Sequence, residues 1–167
     1  IYATNFERAF PQGQEDAEWK AAKPLIELIA AASTMGFVEI SMVTNGRRLA
    51  DPKWAGRLVE AGLTGLAVSL LGPDAATHDG LSLSPGSFDE LVAGLANVRS
   101  AAGAVGVAPL TVNANVITSA SSIERLDQQV RLLAAAGVEA ATVHLVRFDL
   151  FGGDQRLADE LGFPVQR

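Results

Sequence analysis

Residues 24–43 read PLIELIAAASTMGFVEISMV: an amphipathic helix over Pro24 to Met35, a stop at Gly36, and then a short apolar strand, Val38 to Val43. The same phrase returns three times. A helix opening at Asp51-Pro52 stops at Gly62 and leads to Leu66–Leu70. Another, Phe88–Ala102, stops near Gly103 and leads to Leu110–Ile117, and a last one, Ile123–Ala136, stops at Gly137 and leads to Ala141–Val146. Glycine just past a helix suits the left-handed cap, where any Cβ is penalised. Helices alternating with strands in this way predict an α/β chain whose parallel sheet is covered by helices.

The starts of these helices carry their own signals. Asp51-Pro52 reads as an N-cap followed by proline at the first helical position, where the missing N–H costs nothing. Ser87 with Glu90, and Ser121 with Glu124, have capping-box spacing and read as structural. Two segments stand outside the repeated phrase. Residues 1–23 hold a polar, turn-like patch from Gln12 to Asp16, with Trp19 placed to anchor a short helical piece; their structure is left open. The tail from Phe148 is expected to form a loop through Gly152-Gly153 and a short helix over Leu157–Leu161.

Strands covered on both faces read as unbroken Val, Ile and Leu, and these strands do not. In Leu110–Ile117, residues Thr111, Asn113 and Asn115 share one face while Leu110, Val112, Ala114 and Val116 share the other. Thr142 and His144 alternate with Ala141, Val143 and Leu145 in the same way, Ser69 closes the Leu66–Leu70 strand, and Thr44-Asn45 closes another. The helices must take the apolar face, so the polar one points into a barrel or crevice. An unpaired buried amide costs about 1–3 kcal/mol, so such a stripe calls for partners: water, its own members, or a ligand. Polar residues at the carboxyl ends of parallel strands favour a ligand, because α/β folds place their sites along that edge.

Composition narrows the function. With 167 residues, 49% hydrophobic and 19% charged, the chain is globular and fits one ordinary domain. A net charge of -6 argues against nucleic acid, which needs clustered Lys and Arg; Arg47-Arg48 is the one adjacent basic pair. The longest apolar stretch, Leu25–Ala32, includes Glu27 and falls short of the roughly 20 residues that cross a bilayer, so no membrane contact and a cytoplasmic location are expected. The count of zero cysteines removes thiolate nucleophiles, disulfides, thiolate zinc sites and a self-ligated iron–sulfur cluster together.

The pieces Gly36-Phe37 leading to Thr44-Asn45-Gly46, Ala61-Gly62-Leu63 leading to Val68-Ser69-Leu70, and His78-Asp79 followed by Pro85-Gly86-Ser87-Phe88 stand in a telling order. Gly94-Leu95-Ala96-Asn97 and Val112 to Ile117 extend them. From about Pro24 to Arg147 the chain resembles the C-terminal two-thirds of the radical SAM core. That resemblance implies a parallel-stranded partial (βα) barrel of about four βα units over residues 24–167, binding S-adenosylmethionine against a four-iron four-sulfur cluster. It makes Ser69 the leading cofactor contact, through the ribose or the amino-acid moiety. It also puts Thr44 and Asn45 near cofactor or substrate, Asn115 on the adenosine side, and Asn113 and His144 toward the substrate. A lone histidine on a barrel strand reads equally well as a satisfied interior residue. His78 and Asp79, expected in the loop after the Ser69 strand, read as structural groups bonding loop backbone.

The chain also departs from that family. The Cys-x-x-x-Cys-x-x-Cys motif that holds the cluster is absent, as is the glycine-glycine-glutamate motif expected ahead of Pro24. No catalytic residue and no metal ligand is therefore assigned, and the chain as written is expected to be inactive by itself. Two readings follow. Since it opens on Ile1 rather than Met, the chain is expected to be a fragment of a radical SAM enzyme that acts on an unidentified small molecule or peptide. Alternatively it is a degenerate homologue serving as a binding or partner module, with a partner protein covering the open barrel edge. A self-contained aldolase-like enzyme would want a strand-end lysine, and Lys20, Lys23 and Lys53 all lie in or beside helices.

Overall fold

The computed structural model describes residues 15–105, 110–118 and 123–145. Its elements run α1 (Glu15–Thr34), β1 (Ser41–Thr44), a 3-10 turn (Arg47–Ala50), α2 (Pro52–Glu60), β2 (Gly65–Leu70), α3 (Ala75–Ser82) and α4 (Ser87–Val105). They continue with β3 (Thr111–Thr118), a second 3-10 turn (Ile123–Arg125), α5 (Leu126–Ala135) and β4 (Ala140–Leu145). All four strands are parallel and lie in the order β1-β2-β3-β4, so each pairs with its predecessor in the chain. The α/β class and its parallel (βα) units thus stand as the repeated phrase predicts.

The apolar parity of the strands forms the core. Val68, Val112 and Val116 share one buried core with Leu58 of α2 and with Leu91 and Val98 of α4, all at 1% exposure or less. Burying a Val or Leu side chain of this kind stabilises by about 1.5–3 kcal/mol, which is why the helices settle on this face and leave the polar one open. Gly36, Gly62 and Gly137 each sit at positive φ just past α1, α2 and α5, the left-handed caps that their positions suggest.

Several boundaries move, each for a local reason. Helix α1 begins at Glu15, passes Pro24 and makes residues 15–23 helical. Strand β1 is shorter than Val38–Val43: Val38 is 93% exposed, and pairing starts at Ser41 opposite Gly65. Helix α4 passes Gly103, which has no positive φ, and ends at Val105. The residues expected as a loop around His78-Asp79 form α3, capped by the Asp74 carboxylate accepting from Thr77 N at 2.8 Å. Ser121, Val146 and the tail from Phe148 lie outside the described residues. Among those described, no helix is long and apolar enough to cross a membrane.

Candidate functional site

The pleat and the register together decide which polar side chains share a surface. Ser69 of β2 pairs with Asn115 of β3, and Asn115 pairs with Thr142 of β4, so the three occupy one row on the face away from the helices. Neighbouring strands lie about 4.8 Å apart, which puts adjacent members of such a row within reach of one small ligand. The row stands next to the carboxyl end of β2 and at the middle of β3. Ser69 and Asn115 are half-buried, and the Ser69 hydroxyl makes no hydrogen bond with the described residues. Asn113 lies one row back, opposite Ala67, and is exposed. His144 takes the register position opposite Ile117, two residues beyond Thr142.

Thr44 does not join them. It pairs with Val68, a residue of the helix-covered face, and its Oγ1 accepts from Gly46 N at 3.1 Å. Asn45 follows β1 at the same edge and is exposed; its Oδ1 accepts from Arg47 N at 3.1 Å, closing a turn. The structure therefore brings Ser69 and Asn115 together, adds Thr142, and turns the Thr44 hydroxyl to holding backbone. Thr142 is visible in the sequence as a polar alternation, but only the register places it beside Asn115.

The two loops that rim this edge are held differently. After β1, the Gly46–Ala50 turn lies directly on α4: a Cβ on Gly94 would stand 2.7 Å from Gly46 O and 2.8 Å from Leu49 Cβ. Asn97 Nδ2 donates to Leu49 O and Ala50 O at 3.0 and 2.9 Å, and Arg47 pairs with Glu90. Glu90 is thereby taken away from the capping box that its spacing suggests. Arg48 packs its guanidinium 4.5 Å from the centre of the Trp54 ring.

After β2, the hold is polar. Leu71 N donates to His78 Nδ1 at 3.1 Å. Asp79 reaches the start of α4, accepting from Gly86 N at 2.7 Å and from Phe88 N and Ser87 Oγ at 2.9 Å. Ser87 is thus a donor to Asp79 rather than a cap of its own helix, and the cap is supplied from α3. Arg125, in the turn before α5, donates to Asp74 at 2.5 Å and to Thr77 Oγ1 at 2.6 Å, tying the loops after β2 and β3. No spacing in the sequence announces that link, which spans 51 residues between Arg125 and Asp74.

The electrostatics follow these contacts. Burial pushes His78 below its ordinary 6.5, against the opposing pull of the Asp79 charge. Desolvation lifts Asp79, but the Phe88 and Gly86 amides, the Ser87 hydroxyl and the His78 ring together hold it below 3.8. Asp74 is held below 3.8 by the Thr77 amide and hydroxyl first, and by Arg125. Among the described residues no group of three or more His, Asp or Glu is placed to hold a metal ion. With no cysteine in the chain, its residues do not fit an iron–sulfur cluster.

No family model matches the chain. Among curated proteins it is 38% identical over 112 residues to the probable GTP 3',8-cyclase of Methanopyrus kandleri, covering 67% of this chain and 33% of that one. It is 37% identical over 75 residues to the AdoMet-dependent heme synthase of Nitratidesulfovibrio vulgaris, covering 45% of this chain and 20% of that one. The chain thus spans a third or less of the length of these two relatives. A solved structure of a protein from Burkholderia cenocepacia, assigned as a phosphonomutase, superposes with a TM-score of 0.50 at 20% identity over 88% of this chain and 60% of that one. That likeness concerns the α/β fold alone.

Proposed function

The chain belongs to the radical SAM superfamily, and from that premise we propose that it forms the half of the partial barrel that holds S-adenosylmethionine. The observation that carries this reading is the Ser69 hydroxyl, without a hydrogen bond among the described residues, standing in register with Asn115 on the open face. In this reading Ser69 bonds the ribose or amino-acid moiety and Asn115 offers its amide to the adenosine side. Asn45 lies at the neighbouring edge, and Asn113 and, by its register position on β4, His144 are assigned to a substrate whose identity stays open. Thr44, with its hydroxyl on Gly46 N, serves the turn that presents Asn45.

The cofactor, when bound, supplies an adenosyl group for radical chemistry once an electron reaches it through a cluster. This chain's part is confined to binding and orientation, because the thiolates that hold a cluster must come from elsewhere. Two sources are open: a segment of the same protein outside these 167 residues, or a separate active enzyme that this chain assists. Upstream strands would extend the sheet at the outer edge of β1, whereas a separate partner would cover the open face. A Cys-x-x-x-Cys-x-x-Cys motif upstream in the reading frame would select the first source.

Calorimetric titration with S-adenosylmethionine tests the site. Wild type is expected to bind, and Ser69→Ala to bind about tenfold more weakly, the loss of one hydrogen bond worth roughly 1–1.5 kcal/mol. Absence of binding, or binding untouched by the substitution, would remove the assignment.

A further inference from the structure

His78 is buried to 3% exposure on α3, yet its ring does something specific: Nδ1 accepts the backbone N–H of Leu71, at 3.1 Å. Leu71 is the first residue beyond β2 and stands two residues from Ser69. The ring is wedged edge-on against Phe88, with centroids 5.8 Å apart, so it cannot swing aside without moving the start of α4. The loop between lies equally close, since a Cβ on Gly72 would stand 2.6 Å from Thr77 Cβ and 2.8 Å from His78 N.

We propose that His78 is a positioning residue for the ligand-holding edge: its bare Nδ1 fastens the exit of β2 and so fixes where Ser69 presents its hydroxyl beside Asn115. As a statement about a ligand this rests on the S-adenosylmethionine reading above; as a statement about the backbone it does not. An acceptor at Nδ1 requires the neutral ring with its proton on Nε2. Protonation turns Nδ1 into a donor facing another donor, and the Leu71 amide loses its partner. The charged groups around the ring make this a local matter. Asp79, the next residue, is the charge that acts on it, while Asp74 on the preceding turn is committed to Arg125. From α4 the contact is the uncharged Phe88, with Asp89 exposed and Glu90 paired to Arg47.

Substitution separates this role from mere space-filling. In His78→Asn the side-chain carbonyl takes the place of Nδ1 and accepts without titrating. In His78→Phe the ring volume stays and the acceptor goes. Amide and imidazole NMR on the full chain, with hydrogen exchange at Leu71, supplies a readout that needs no ligand. The expected results are an Nε2–H tautomer and Leu71 and Ser69 amide shifts that follow the His78 titration. Leu71 exchange should be about tenfold faster in His78→Phe, as loss of a bond worth roughly 1.4 kcal/mol implies, and restored in His78→Asn. Affinity for S-adenosylmethionine should fall with acid in wild type and hold steady in His78→Asn.

An Nδ1–H tautomer, or a Leu71 amide indifferent to both the titration and the His78→Phe change, would overturn the proposal. So would S-adenosylmethionine affinity whose acid dependence persists unchanged in His78→Asn. If wild type bound no S-adenosylmethionine at any pH, the cofactor reading would fall, and the amide shifts would still decide the role of His78.

Discussion

The loops after β1 and β2 do the same job by different physics. The first is closed by shape, with polar ties added: Gly94 lets α4 lie against the Gly46–Ala50 turn with no room for a methyl group, and Asn97 and the Arg47–Glu90 pair fasten it further. The second is held by polar atoms, with His78 on Leu71, Arg125 on Asp74 and Asp79 on the start of α4. Steric contact is indifferent to pH and salt, whereas a ring acceptor and a half-exposed ion pair respond to both. One edge of a single sheet therefore combines a rim beside Asn45 in which close packing is the larger part with one beside Ser69 in which polar atoms are.

The largest effect is expected from breaking the steric side. Gly94→Val drives a branched side chain into Gly46 O and Leu49, neither of which can yield, and should cost about 3 kcal/mol in urea unfolding, equally at neutral and mildly acid pH. A loss below about 1 kcal/mol would mean that the turn can lift off α4. An acid titration of stability sharpens the polar side. The folded value of His78 lies below 6.5, so the unfolded chain takes up the proton first. The ring's contribution is complete above 6.5 and is lost as the pH falls through the folded value. His78→Asn should flatten this limb while leaving the later loss from Asp74 and Asp79, whose contributions are present above 3.8 and vanish below it as their folded values are crossed. An identical limb in both proteins would assign the acid sensitivity elsewhere. The smallest effect belongs to Arg125→Ala. Its pair with Asp74 is 37% and 44% exposed, so the substitution should cost about 0.5–1 kcal/mol at low ionic strength and distinctly less in 0.5 M salt, a change readable in the same unfolding assay.

How much of this was legible beforehand depends on the range of the interaction. The parallel (βα) pattern was readable because strand parity and the glycine stops at Gly36, Gly62 and Gly137 are local properties. The polar row was half readable: alternation gives the face of Ser69 or Asn115 within a strand, but only register aligns them and recruits Thr142. Thr44 shows the limit, since counting along β1 cannot tell which face its last residue takes against β2. The structural reading of His78 and Asp79 was accessible from residue type, and both do bond backbone. Helix α3 was not foreseen, because Gly80 interrupts a short, weakly patterned stretch whose only local marker is the Asp74-to-Thr77 cap. Glu90 and Ser87 fit a capping box by spacing, yet Arg47 and Asp79 claim them from far along the chain.

The strand order carries a consequence for biosynthesis. Among the described residues every strand docks beside the one made just before it, so no strand must wait for a later one to find its place in the sheet. Each strand from β2 onward leaves the ribosome after the strand it pairs with has already been made.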